Sequence, residues 1–300
     1  MDKKASKFAA LAVIFAGVLW GIISLFVRSL YDAGLDALQI SALRLCVAAA
    51  SLALALLLFR RELLKIRLRD IWMFVCTGVV SVVLFNTLYF YTTVNSQASV
   101  AVVLLYTSPA FVILLSALCF REKITGRKLL ALGMTVCGCV LVSGMLGGGY
   151  ALTPKLLLTG LGSGLFYALY TVFARLALRK YDSMTVTVYT FLMGALGALP
   201  LGKLGQSLVT LSAAPQLWVS AVCIGVVSTV LPYALYTWGL QRMDSGRASL
   251  LVAVEPLVGA LVGILVFHEA CGGWKILGVG LILGAVCVLS GGNGKLEVES

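Results

Sequence analysis

The chain contains ten apolar runs, each long enough to cross a lipid bilayer, separated by short polar connectors. One spanning helix needs about 20 apolar residues, so a chain of 300 residues can hold about ten. Only 12% of the residues are charged, against roughly 25% in soluble domains. We therefore expect an all-α integral membrane protein, and we exclude a soluble enzyme, a disordered chain and a disulfide-linked secreted module. The predicted spans are residues 8–28, 38–59, 71–93, 98–120, 128–147, 156–178, 184–203, 216–240, 247–267 and 274–291.

The distribution of Lys and Arg predicts how these spans are oriented. Of the 23 basic residues, 18 lie in the two terminal segments and in alternate connectors, four lie in the other connectors, and Arg44 lies inside a span. Cytoplasmic connectors carry the excess of basic residues. We therefore expect a multi-pass protein of the inner (cell) membrane with both termini in the cytoplasm. A charge dispersed in this way predicts contact with the lipid bilayer and no nucleic-acid partner.

The eight cysteines and the single histidine do not form a metal-binding pattern. The cysteines lie mainly inside apolar runs, without a CxxC pair, and are expected to be free thiols. Gly147, Gly148 and Gly149 are not followed by Lys and Ser or Thr, so they predict a linker and not a phosphate-binding loop. We expect no metal, no cofactor and no enzymatic activity.

The two halves of the chain resemble each other at a constant offset of 147 residues. This offset aligns Gly78–Gly144 with Gly225–Gly291 without a gap. Pro109 then matches Pro256, and Tyr, Glu and Lys residues also fall in register. Matched polar residues are harder to obtain by chance than matched apolar ones, so we interpret the chain as a duplication.

The duplication predicts an inverted repeat, because each half holds five spans and an odd number reverses the direction of insertion. We expect residues 1–147 to form the first five-helix repeat and residues 148–294 to form the second, inverted one. Residues 295–300 form a polar tail that resembles a cloning remnant, and we assign it no function. Inverted repeats are typical of carriers whose site lies at the repeat interface and opens alternately to the two sides.

Five short motifs are distributed along the chain: Trp20-Gly21, Ser108-Pro109, Phe120-Arg121-Glu122, Glu255-Pro256 and Phe267-His268-Glu269. They are similar to motifs of the ten-helix drug/metabolite transporter superfamily, and specifically of its EamA-like branch. The resemblance covers nearly the whole chain. It implies two inverted five-helix repeats around a central cavity lined mainly by helices one, three, four, six, eight and nine. It also implies transport of a small solute and leaves the substrate open.

Glu255 is the acidic residue that most strongly suggests function. It lies eight residues into the predicted ninth helix, or about 12 Å at 1.5 Å per residue, near the middle of the bilayer. A carboxylate at this depth can carry protons or neutralise a cationic solute; alternatively, it only braces two helices. The adjacent Pro256 predicts a local interruption of the helix, as does Pro109 in the other half.

Arg44 is the only basic residue predicted inside a span. It lies near the outer end of the second helix, so we expect its long side chain to reach the headgroups. An inward orientation would instead allow it to hold a carboxylate or phosphate, or to pair with Glu255. Arg44 is therefore a candidate anion contact, and an inward Arg44 would favour an amino acid as the solute.

Aromatic and polar residues on the helices expected to line the cavity complete the predicted substrate site. Spacings of three and four place each set on one helix face; packing or interfacial roles are the alternative for each tyrosine. The residues that we predict to bind substrate are Trp20, Ser24, Asn86, Tyr89, Tyr106, Ser108, Tyr167, Tyr170, Tyr233, Tyr236 and Glu255.

These features predict a monomeric secondary transporter that exports an amino acid or a related metabolite by alternating access. No ATP-binding motif is present, so the energy must come from an ion gradient or from the gradient of the solute itself. Glu255 makes protons the natural candidate for the coupling ion. The alternative is an exporter of cationic drug-like or guanidinium-type compounds. An intramembrane enzyme or a channel is a weaker interpretation, since HExxH and GxSxG motifs and a continuous polar stripe are missing.

Overall fold

The computed structural model describes residues 3–96, 98–142, 153–268 and 272–290, and these ranges are helical without any β-strand. The predicted linker around Gly147 lies outside the described residues. The helices of the first half are α1 (Lys3–Gly21), α2 (Ile23–Asp32), α3 (Ala37–Phe59), α4 (Ile71–Val75), α5 (Leu84–Asn95), α6 (Ala98–Leu105), α7 (Ser108–Phe120) and α8 (Gly126–Val142). Those of the second half are α9 (Pro154–Ala177), α10 (Ser183–Ala198), α11 (Leu204–Ala213), α12 (Leu217–Gly225), α13 (Leu231–Leu240), α14 (Ser245–Leu251), α15 (Val254–Leu265) and α16 (Gly273–Ser290).

Helical segments long and apolar enough to cross a membrane occur throughout the described chain. They number seven among the described residues, and two shorter apolar helices, Ser183–Ala198 and Gly273–Leu289, accompany them. The expectation of an all-helical membrane protein is therefore confirmed at this level. Ten spans and the inverted relation of the halves stay predictions. The seven are Lys7–Asp32, Ala37–Phe59, Leu68–Asn95, Val100–Phe120, Pro154–Ala177, Leu217–Leu240 and Ser245–Leu265.

One helix lies where the sequence predicted only a connector. The helix α10 ends at Ala198, before Pro200, and α11 then occupies Leu204–Ala213. Leu211 on α11 is fully buried in a small cluster with Leu30 and Leu35. A ten-residue helix is too short to span a bilayer, which is why the search for span-length runs missed it.

The helices that contain Ser108-Pro109 and Glu255-Pro256 are both interrupted, as the prolines predicted. The first breaks between Leu105 and Ser108, and the second breaks between Leu251 and Val254. Two further segments widen into π-helix, at Cys76–Val83 and Val226–Val230. These irregularities fall at nearly equivalent positions of the predicted repeat. Such non-helical backbone is tolerated at membrane depth where it lines a cavity or lies within protein.

Close helix packing brings α1 against the start of α15. A Cβ atom on Gly21 would lie only 2.8 Å from the carbonyl oxygen of Glu255, and one on Gly17 would lie 2.7 Å from that of Val252. In lipid, helices associate through packing of small residues and not through the hydrophobic effect. The glycines of α1 therefore allow Trp20 to approach the interruption before α15.

Candidate functional site

A small internal cavity lies between helices of both halves, beside the two interruptions. Its volume is about 10 Å³, which accommodates about a single water molecule. Six of the predicted substrate-binding residues line it, and four further residues, Val112, Thr171, Ser249 and Val252, complete the wall. The six predicted residues are Trp20, Ser108, Tyr167, Tyr170, Tyr233 and Tyr236.

Aromatic rings from the two halves pack directly against each other at this cavity. The ring of Trp20 lies 5.0 Å from that of Tyr233 and 5.7 Å from that of Tyr236. The Trp20–Tyr233 pair is edge-to-face, with an angle of 84°. This arrangement suits the ring quadrupoles, so the cavity wall offers both ring faces and ring edges.

The tyrosine hydroxyls of the cavity are held by threonines of a neighbouring helix. The hydroxyls of Tyr170 and Thr237 are 2.9 Å apart, and those of Thr171 and Tyr236 are 2.7 Å apart. Both pairs join α9 to α13. A buried hydroxyl without a partner would be costly, so these reciprocal pairs fix the tyrosine rotamers before any solute binds.

Glu255 lies in the first turn of α15, at the interruption. It is ten residues from each end of the apolar segment Ser245–Leu265, or about 15 Å at 1.5 Å per residue, which is close to the middle of a bilayer. The hydroxyl of Tyr106 lies near enough to its carboxylate to interact with it electrostatically. The positive end of the helix dipole also favours a negative charge at this position.

Arg44 points into the protein and not towards the headgroups, so the expectation of a headgroup contact is wrong. Its Nη2 atom donates to Oδ1 of Asn86 at 3.3 Å. Asn86 is itself held because its Nδ2 donates to the carbonyl of Val82 at 2.6 Å. Glu255 is near enough to act on Arg44 electrostatically, yet the two form no ion pair among the described residues.

The remaining predicted residues lie around the cavity without lining it. Tyr89 packs against Phe85 and Phe90, with ring centroids 6.5 and 5.8 Å apart. Ser24 has a buried hydroxyl that finds no partner in the described part of the chain. The structure therefore brings six predicted residues to the cavity, groups Arg44 with Asn86, and places Tyr89 and Tyr106 near Glu255. Ser24 does not line the cavity.

A cluster of charged side chains closes one end of the molecule beyond this cavity. We call Glu122, Lys128, Arg175 and Asp244 the Glu122 cluster. Oxygens of Glu122 lie 3.8 Å from Lys128 Nζ and 3.6 Å from Arg175 Nε, and Lys128 Nζ lies 3.4 Å from Asp244. The backbone N–H groups of Ser245 and Gly246 also donate to Glu122, at 2.9 and 3.3 Å.

The sequence indicated some of these contacts and gave no signal for others. It placed Glu122 in a family-like motif but gave no signal for its partners, which come from three separate parts of the chain. Ser249 was missed because an isolated serine in an apolar run resembles any small packing residue. Among the described residues, no group of His, Cys, Asp and Glu is arranged to hold a metal ion.

Comparison with known proteins gives a consistent family match. The model of the EamA-like transporter family matches residues 7–144 and again residues 154–291. Two uncharacterized transporters of Archaeoglobus fulgidus are similar to the chain. One is 30% identical over 95% of this chain and 97% of its own length, and the other is 28% identical over 91% and 94%.

More distant relatives agree with this match. The uncharacterized transporter YetK of Bacillus subtilis is 21% identical over 96% of this chain and 86% of its own length. A protein crystal structure superposes with a TM-score of 0.77, covers 96% of both chains and is 20% identical. At that identity, the likeness of the two structures establishes a shared fold and no more.

Proposed function

The chain belongs to the EamA-like transporter family and is a multi-pass membrane transporter, and we propose that it is a secondary transporter that moves a small organic solute by alternating access. The solute that we propose is an amino acid or a related metabolite, and the direction is export. We propose transport without chemical conversion of the solute, across the cell (inner) membrane, by a monomer whose two termini lie in the cytoplasm.

The observation that carries this proposal is the cavity between the two halves. It combines aromatic walls, paired hydroxyls and the interrupted backbone before α15, near the middle of the apolar segments. At about 10 Å³ it is far too small for an organic solute, since small-molecule sites measure about 300–1,000 Å³. The site must therefore widen to work, as expected of a carrier that opens to one side at a time.

We propose the inverted repeat as the device that widens it. Residues 1–147 and 148–294 would rock about the cavity and expose it alternately. The repeated interruptions before Pro109 and Pro256 support this proposal, because such breaks let the two parts of a helix move separately.

The transport proposal is tested in liposomes. Purified protein preloaded with one unlabelled solute should accelerate uptake of the same labelled solute, and the flux should saturate. Amino acids, polyamines and quaternary or guanidinium cations form the panel, and empty liposomes are the control. A linear, non-saturating flux would instead support a pore. The proposed direction of transport is tested by comparing uptake into inverted and right-side-out vesicles.

We further propose that Glu255 carries the coupling proton, by competition between proton and solute for one carboxylate. Glu255→Gln should keep exchange of solute but lose acceleration by a pH gradient. Glu62→Gln is the matched control, because the hydrogen bond from Arg60 holds the pKa of Glu62 below its usual value and its side chain is exposed. Full gradient-driven uptake by Glu255→Gln would remove the proton role.

Export of cationic compounds is the second candidate. Tyr233 favours it, because its ring lies near Glu255 and packs against Trp20, and aromatic faces attract organic cations. In the liposome panel, exchange of quaternary or guanidinium cations without exchange of any amino acid would select this candidate.

A further inference from the structure

We propose that Arg44 binds the anionic group of the transported solute while Glu255 binds its cationic group, so that the solute is a small zwitterion with an apolar body. This inference rests on the proposed transport function and specifies the substrate class of the same site. It assigns a role to Arg44, which does not line the cavity.

The first step is that Arg44 has few hydrogen-bond partners among the described residues. A guanidinium carries five N–H donors in a rigid fork. Only one hydrogen bond is formed, to Asn86 at 3.3 Å, while the Nε atom is buried and finds no partner among the described residues. A buried charge in this condition is costly unless it serves a ligand.

The second step is that Arg44 is held in place although it forms few hydrogen bonds. Asn86 is anchored by its bond to the carbonyl of Val82, so its Oδ1 atom faces the guanidinium. This support occupies one edge of the fork and leaves donors for a second acceptor. An arginine fork matches a carboxylate, which it can bind through two parallel hydrogen bonds.

The third step is that the site contains one charge of each sign, separated by more than an ion-pair distance. Glu255 and Arg44 act on each other electrostatically without a direct contact between described atoms. A cation alone would neutralise Glu255 but be repelled by Arg44. An anion alone would neutralise Arg44 but be repelled by Glu255. Only a solute with both charges satisfies the two groups together.

The fourth step concerns what lies between the charges. Tyr233 and Tyr167 are close enough to interact electrostatically with both Arg44 and Glu255. Both also line the cavity, so the surface between the charged groups is aromatic. An apolar solute body would pack against these rings, whereas a second polar group would lose its hydration there.

The fifth step is the position of Arg44 along the membrane. It lies seven residues into α3, or about 10 Å from the start of the helix at 1.5 Å per residue, whereas Glu255 lies about 15 Å from either end of its segment. The two groups therefore differ in depth, and the bound zwitterion would lie with its ends at different levels.

The test uses matched ligands that differ only in charge. Phenylalanine, phenethylamine and 3-phenylpropanoate provide a zwitterion, a cation and an anion with one ring. Leucine, 3-methylbutylamine and 4-methylpentanoate do the same for an aliphatic body, and the other standard amino acids extend the zwitterion arm. Ligand-induced shifts of the melting temperature of the purified full-length protein measure binding.

For the unaltered protein, we expect stabilisation by a zwitterion that exceeds stabilisation by its matched cation and anion. Arg44→Gln should weaken zwitterion binding at least about tenfold and turn the preference towards the cation, since a charge-assisted hydrogen bond contributes roughly 1.5–3 kcal/mol. Glu255→Gln should turn the preference towards the anion. Arg44→Lys should recover part of the binding, and Arg60→Gln, in an exposed ion pair, should change nothing.

Several outcomes overturn the inference. In the unaltered protein, equal stabilisation by a zwitterion and its matched amine would overturn it, and so would the absence of stabilisation by any amino acid. In the Arg44→Gln protein, unchanged binding of the zwitterion would overturn it. A counterflow assay distinguishes failure of the zwitterion inference from failure of the carrier proposal. Exchange of labelled tetraethylammonium, unaffected by Arg44→Gln, would keep the carrier and reject the zwitterion, whereas no exchange of any probe above empty liposomes would reject both.

Discussion

The two ends of the molecule carry equivalent residues of the predicted repeat, and the described side chains join the two halves differently at each end. At the Glu122 end, defined by the Glu122 cluster, the side chains of Glu122 and Lys128 are each only 8% exposed. At the Arg28 end, defined by Arg28 and Phe267, the exposed guanidinium of Arg28 lies 4.4 Å above the Phe267 ring. The offset of 147 residues relates Arg28 to Arg175 and Phe267 to Phe120.

The backbone at the two ends is similar, so the difference lies in the side chains. Arg121 and His268, which the same offset relates, both adopt left-handed conformations with φ of 56° and 54°. At the Arg28 end, the bonds between the two halves that join described residues are neutral, such as Gln39 to Gln206 at 3.2 Å and Ser220 to Ser29 at 3.0 Å.

The Glu122 end has a second charged link between the halves. Lys180 Nζ lies 2.7 Å from an oxygen of Asp70, and the Tyr181 hydroxyl donates to the other oxygen at 2.8 Å. These charged links indicate a conformation in which the two halves are held together at the Glu122 end. To open there, the protein must separate ion pairs.

The largest effect is expected from Glu122→Gln. This change removes the negative charge that faces Lys128 and Arg175 and leaves Lys128 with Asp244 as its remaining anionic partner among the described residues. Removing one member of a buried ion pair costs up to roughly 3–5 kcal/mol. We expect a marked fall in melting temperature and faster hydrogen exchange at the backbone amides of Ser245 and Gly246, which donate to Glu122. Exchange at α2, at the opposite end, should stay unchanged; unaltered exchange at 245 and 246 would refute the closed-end interpretation.

A smaller effect is expected from Arg175→Gln, and Arg28→Gln at the opposite end is its control. The guanidinium of Arg175 pairs with Glu122 and donates to the carbonyls of Leu240 and Met243. Loss of charged hydrogen bonds should lower the free energy of unfolding by about 2 kcal/mol, whereas Arg28→Gln should stay within about 0.5 kcal/mol. Thermal unfolding of both proteins in one detergent measures the difference, and equal losses would contradict the comparison.

The parts of the fold that could be predicted are those set by local patterns. Span-length apolar runs predicted helices, and Pro109 and Pro256 predicted the interruptions, because each signal acts within a few residues. The same holds for the cavity: aromatic residues at spacings of three and four share a helix face, and five of the predicted aromatic residues line it together with Ser108. The helix α11 was missed because it is shorter than a span.

The parts that could not be predicted depend on contacts between distant segments. The depth of Arg44 allowed both a headgroup and an inward orientation, and only the position of Asn86 on a neighbouring helix decides between them. Glu122 was recognised as part of a family-like motif, but its partners Arg175 and Ser245 lie more than 50 residues away. Nothing in the local pattern specifies such pairings.

The smallest effect is expected from Asp244→Asn, which tests whether burial or charge alone explains the comparison. The Asp244 side chain is 42% exposed, and its pair with Lys128 at 3.4 Å lies beside the more buried contact of Lys128 with Glu122. Partly exposed ion pairs contribute about 0–1 kcal/mol, and salt screens them. We therefore expect a loss of about 0.5 kcal/mol in low salt that shrinks further at high ionic strength, measured by thermal unfolding across a salt series. A loss as large as that of Glu122→Gln would mean that the number of charges, and not their burial, holds this end closed.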